Sequence, residues 1–218
     1  MLMRFRMLLA VGAVICNFTV PAFASEPRVI GWDDLAPAPV EYDNPFSELS
    51  PEHTQGLRKL LRFQLAEGRG SRVITPEEAS ALRAELEADG LDVDWLFEQR
   101  RIIMETLQKI ATATNDELLG QSVRIPGYLL PLEMKDKKAV EFLLVPTVGA
   151  CIHTPPPPAN QMVHVRYPAG FSIKGLYTPV WVNGRLLAES KVETVRYVDG
   201  ESRVELSYGM TADTVEPY

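Results

Sequence analysis

Cysteine is nearly absent from this 218-residue chain, which has only Cys16 and Cys151. Cys16 lies in an N-terminal segment marked for removal, so Cys151 has no partner for an internal disulfide, and a disulfide-stapled secreted scaffold is excluded. A free thiol, an intermolecular disulfide or a metal ligand remain open for Cys151. Histidine is scarce too, at three residues, His53, His153 and His164. A basic surplus is also missing. With 22 Lys and Arg against 29 Asp and Glu, the formal charge is −7, which argues against a general nucleic-acid binder.

Residues 1–24 have the grammar of a cleavable secretory signal. Arg4 and Arg6 supply the positive start, Met7 to Val20 the apolar stretch, and Ala22-Phe23-Ala24 the small-x-small cleavage site. The apolar stretch falls short of the ~20 residues needed to span a bilayer, and Ile15 stands before Cys16 where a lipid-attachment site wants a small residue. Cleavage before Ser25 predicts a periplasmic protein of 194 residues with a formal charge of −9, enough for one ordinary domain or two small ones. That charge is uneven: residues 25–120 hold nineteen acidic and ten basic side chains, and residues 121–218 ten of each.

The hydrophobic period divides the remainder in two. Residues 25–44, with Pro27, Pro37 and Pro39, read as an extended arm anchored by Trp32. A helix is predicted from Ser50-Pro51 to near Gly68, with Leu57, Leu60, Leu61 and Leu65 on one stripe. A second opens on the capping box Thr75-Pro76-Glu77-Glu78 and runs to Asp89-Gly90. A third starts near Asp92 and places Val93, Leu96, Phe97, Ile103, Met104, Leu107 and Ile110 at helical spacing. Asp89, Asp92 and Asp94 lack the glycine and terminal glutamate of a calcium loop and read as helix caps.

From Gly120 the period becomes two. Strands are predicted over Ser122–Leu132, Val140–Val145, Met162–Tyr167, Val180–Leu187, Val192–Tyr197 and Arg203–Tyr208, with turns at Lys135–Lys138, Asn183-Gly184 and Asp199-Gly200. Five or six short strands favour a small closed barrel, which leaves no exposed edges. The predicted fold class is α+β: a helical region over 25–119, then a small OB-like barrel (the oligonucleotide/oligosaccharide-binding type) over 120–218, with its crossover at Pro168–Thr178. A β-sandwich fits the same strand count.

The chemistry-bearing residues gather in one stretch. Cys151 and His153, two apart, share a face in extended backbone with Cα atoms roughly 6–7 Å apart, which suits joint ligation of one ion better than a nucleophile–base contact of about 3 Å. On the following strand Val163 and Val165 are expected to face the core, leaving Met162, His164 and Arg166 on the other side. Cys151, His153, His164 and Met162 then make a nitrogen and sulfur set suited to zinc or copper. Pro155, Pro156, Pro157 and Pro158 are expected to form polyproline II, a stiff loop, a site wall or a strip for docking a partner. Asn160 and Gln161 are expected to cap this loop through their side chains. The rival readings are an enzyme with Cys151 as thiolate and His153 or His164 as base, and a purely structural adaptor. His53 is given no role.

The strings Val123-Arg124-Ile125-Pro126-Gly127-Tyr128-Leu129-Leu130-Pro131-Leu132-Glu133, Glu141-Phe142-Leu143-Leu144-Val145-Pro146, and Gly149-Ala150-Cys151-Ile152-His153-Thr154 running on through the four prolines to Gln161 resemble the secreted bacterial family DUF3299. Trp32-Asp33-Asp34-Leu35 and Pro179-Val180-Trp181-Val182-Asn183-Gly184 are similar to it as well. The resemblance implies a periplasmic accessory protein, associated with ABC-type transport or metal handling, and no defined activity.

Overall fold

The computed structural model describes residues 26–39, 42–66, 74–149, 156–173, 175, 177–197 and 200–218. The signal segment and Cys151, His153 and Pro155 lie outside the described residues. Three helices, α1 (Pro51–Ala66), α2 (Pro76–Ala88) and α3 (Val93–Thr112), precede the main strands. Thr75 accepts a bond from the Glu78 amide while the Glu78 side chain takes the Thr75 amide, the reciprocal cap that the sequence predicts. Asp92 caps α3, and His53 pairs with Asp89 at 3.3 Å. Leu57, Leu60, Leu86, Val93 and Leu96 form the core of this helical part. The second half of α3 stands clear of it, with Met104 50% and Leu107 41% exposed.

The strands are β1 (Arg28–Val29), β2 (Ser122–Lys135), β3 (Lys138–Val145), β4 (Val163–Ser172), β5 (Thr178–Tyr197) and β6 (Gly200–Pro217). Their order is β1-β2-β3-β4-β6-β5, and a further pairing of β5 with β2 closes β2 to β6 into a five-stranded barrel. The fold is therefore α+β with a closed barrel. Its interior holds Val123, Ile125, Phe142, Val165, Val182 and Tyr208, each fully buried. Two apolar side chains from the N-terminal segment, Ile30 and Leu35, join that core at 3% and 0% exposure. The predicted arm is thus partly built in: β1 pairs in parallel with β2, and the Trp32 indole donates to the Pro126 carbonyl at 2.8 Å.

Three sequence expectations are corrected. Asn183-Gly184 is not a hairpin turn but lies inside β5, where the register against β6 slips between the two residues. A Cβ at 184 would come within 2.8 Å of the Ala212 Cα, so glycine serves close approach of two backbones rather than a turn. The two predicted arms Val180–Leu187 and Val192–Tyr197 are one 20-residue strand, interrupted only by an irregularity between Ala188 and Lys191. Pro168–Ser172, expected in a crossover, extends β4. The Lys135–Lys138 turn is present, with Asp136 and Lys137 both at positive φ.

The distal part of the β5–β6 hairpin forms a second core. Its Val195, Val204 and Leu206 pack with Leu130, Leu143, Val145 and Met162. In β3 and β4 these residues alternate with those that fill the barrel interior, so the wall made by β2, β3 and β4 is apolar on both faces.

Candidate functional site

Strand β4 is the backbone of the site. Val163 and Val165 enter the barrel core, Met162 enters the second cluster at 1% exposure, and His164 is buried at 0%. His164 sits opposite Leu143 on β3 and Gly209 on β6. Its Nδ1 lies 3.1 Å from Glu189 Oε1, and its Nε2 lies 3.6 Å from Glu141 Oε2. Arg166 Nη2 donates to the same Glu189 Oε1 at 2.5 Å, and its Nε stands 3.9 Å from Glu141 Oε1. Among the described residues, His164 Nε2 is a buried side-chain atom without a hydrogen-bond partner.

Glu189 reaches this position because of two local features of the sheet. The irregularity between Ala188 and Lys191 turns it toward β4, and Gly209 leaves room for it: a Cβ there would contact Glu189 Oε2 and lie 3.0 Å from its Cδ. Beyond Glu189 a half-open cleft of about 470 Å³ is lined by Thr112, Thr114, Lys191, Glu205 and Ser207.

Burial pulls the Glu189 carboxyl upward, but the hydrogen bonds from Arg166 and His164 outweigh it and hold the group below the ordinary carboxylate value. A folded-state pKa below the unfolded one contributes stability that is present above the unfolded value near ~4.3 and lost as pH falls through the depressed one. Urea denaturation of the protein and of Glu189→Gln from about pH 6 to about pH 3 should therefore show the wild-type advantage shrinking toward acid. A difference that stays constant with pH would show that the carboxylate charge does not stabilise the fold.

Of the residues that the sequence nominates, Met162 and His164 are brought close in chain but point to different surroundings, one apolar and one ionic. Pro156 and Pro158 are exposed, and Pro158 has φ −52° and ψ 152°, the polyproline region. Gln161 caps the loop as expected, its amide donating to the Asn160 carbonyl at 3.3 Å, whereas Asn160 acts differently. The Asn160 amide donates to the carbonyls of Ile110 and Ala113 at 2.7 and 2.9 Å, satisfying the end of α3, and Gln161 reaches the Trp32 carbonyl at 3.1 Å. They bind the trailing end of the loop to the helix and to the N-terminal segment. The sequence pattern does not single out Glu141, Arg166 or Glu189. Gly209 lies one residue past the predicted strand Arg203–Tyr208 but inside β6, and a glycine within a strand marks the close approach of a neighbour.

Among the described residues, no three His, Cys, Asp or Glu side chains converge as a metal site, and no helix is long and apolar enough to cross a membrane. The family model described as "Protein of unknown function (DUF3299)" matches residues 32–217. A crystal structure of a DUF3299 family protein from Pseudomonas aeruginosa PAO1 is 26% identical, covers 88% of this chain and 96% of its own, and superposes with a TM-score of 0.45. No curated protein matches the chain.

Proposed function

The chain belongs to the DUF3299 family, and from that premise we propose that it is a periplasmic accessory protein that binds zinc or copper through the loop carrying Cys151 and His153, in the service of an ABC-type transport system. The observation that carries this reading is the anchoring of the loop's trailing end. Asn160 is buried and its amide is committed to two carbonyls of α3, while Gln161 is committed to Trp32. A loop entering β4 from a fixed point and stiffened by prolines spends little entropy when its thiolate and imidazole close on an ion. Removal of residues 1–24 during export is part of the same proposal.

The barrel is read as OB-like. In chain order its strands close as first, second, third, fifth, fourth, and the third and fifth are parallel, an order that supports a Greek-key barrel of that type. Ligands of such barrels commonly lie on the face of the second and third strands. Here Leu143 on the second strand and Met162 just before the third are packed against Val204 and Leu206 of the hairpin, which together with the acidic charge speaks against nucleic acid as the ligand.

Reduced protein titrated with zinc and with copper(I) should take up about one ion through Cys151 and His153, with affinity falling as pH drops through the histidine range near ~6.5. Cys151→Ser should weaken uptake strongly. Met162→Leu nearly conserves volume in its apolar cluster and should leave zinc affinity unchanged. Absence of stoichiometric uptake, or a Cys151→Ser variant that binds as tightly as the wild type, rules out this loop as the metal site.

A further inference from the structure

We propose that His164 Nε2 and Glu141 Oε2 form an exchangeable site for a divalent ion of the zinc class, oriented from behind by Glu189. This rests on the metal-handling reading for its purpose, but its ligands are not those of the Cys151–His153 loop.

Glu189 Oε1 already accepts from Arg166 at 2.5 Å, so at the 3.1 Å contact Nδ1 is the donor. In the neutral ring Nε2 then carries the lone pair. It is fully buried, has no hydrogen-bond partner among the described residues, and faces a carboxylate oxygen at 3.6 Å. That is too far for a hydrogen bond, and two electron-rich atoms gain nothing from facing each other.

An ion about 2.0–2.1 Å from each atom would resolve the geometry, subtending an angle of roughly 120° at the metal. A carboxylate holding the far nitrogen of a ligating histidine is the usual outer partner in zinc sites. Arg166 lies nearer Glu141 Oε1, leaving Oε2 turned to the ring. The Glu141 side chain is 36% exposed, so the remaining coordination positions can be filled by solvent. Two protein ligands hold an ion more loosely than the three or four of catalytic and structural zinc sites, which suits an ion that is passed on.

The test uses the full chain carrying Cys151→Ser and His153→Asn, which removes the loop ligands. Zinc calorimetry and cobalt(II) absorption at neutral pH should show that the loop's tighter ion is lost and about one more loosely held ion remains. Glu141→Gln, a change at a partly exposed position that spares the fold, should weaken binding at least tenfold, and Glu189→Gln about 10–100-fold. Nitrogen-15 spectra of the imidazole should show Nε2 shifting on zinc addition. The proposal is overturned if the loop-deficient protein binds no ion while the wild type does, which leaves the loop reading intact. It is equally overturned if Glu141→Gln binds unchanged, or if His164 is doubly protonated at neutral pH and insensitive to zinc, because a proton then bridges the two atoms. Conversely, loss of binding in Glu141→Gln with no effect of Cys151→Ser supports this site and removes the loop.

Discussion

Gly209→Ala is expected to destabilise the protein by about 2–3 kcal/mol, although alanine ordinarily improves a strand position held by glycine. The added Cβ would lie 3.0 Å from Glu189 Cδ and 3.2 Å from Glu189 Cβ. The carboxylate can retreat only by releasing His164 and Arg166. That release leaves the fully buried His164 Nδ1 without its partner and separates Arg166 from its carboxylate, and stranding a buried polar group together with breaking an ion pair is among the costlier single changes. The estimate is set below the ~3–5 kcal/mol of a wholly buried pair because the Glu189 side chain is 18% exposed. A double-mutant cycle separates this cause from a general backbone effect. In a Glu189→Ala background the contacts with the carboxylate are gone and only the 3.2 Å approach to the Cβ of residue 189 remains, so Gly209→Ala should cost less than about 1 kcal/mol. Equal costs in both backgrounds, measured by urea denaturation, would mean that Glu189 is not what requires glycine at this position.

The same residues show what the sequence could and could not disclose. Alternation along β4 assigns Val163 and Val165 to one face and His164 and Arg166 to the other, because the side-chain period of a strand is fixed at two. The Thr75 cap of α2 is equally local, since donor and acceptor lie within one turn. By contrast, the meeting of Glu189 with His164 depends on an irregularity between Ala188 and Lys191 and on a parallel pairing of β4 with β6, and neither leaves a periodic signature. Ala188-Glu189-Ser190 reads as a break between two short strands when it is a kink within one long strand. Asn183-Gly184 has the composition of a hairpin turn, yet its glycine is required by the approach of Ala212 from the neighbouring strand. Asn160 was readable as a polar loop residue, but its acceptors lie 47 and 50 positions away. Contacts whose partners are distant in sequence are invisible to patterns with a period of two or 3.6.

Tyr208→Phe is expected to cost about 2–3 kcal/mol, because two backbone groups lose their partner while the ring and its packing are kept. The hydroxyl donates to the Leu35 carbonyl at 2.7 Å and accepts from the Asn115 amide at 2.5 Å, tying the N-terminal segment and the connection after α3 to β6. Burial, opposed by the Asn115 hydrogen bond and assisted by the charge of Asp116, raises its pKa above the ordinary phenol value, so it is the neutral hydroxyl that serves both bonds. Leu35 is 0% exposed, so water cannot readily replace the lost donor at its carbonyl. The loss should appear in equilibrium denaturation with an unchanged denaturant slope. Hydrogen exchange should quicken at Asn115, whose amide donates to Tyr208, while interior amides such as Phe142 stay protected relative to the new global stability. If Tyr208→Phe changes stability by less than about 0.5 kcal/mol, the size of an ordinary surface substitution, the hydroxyl is not what fastens the N-terminal segment to the barrel.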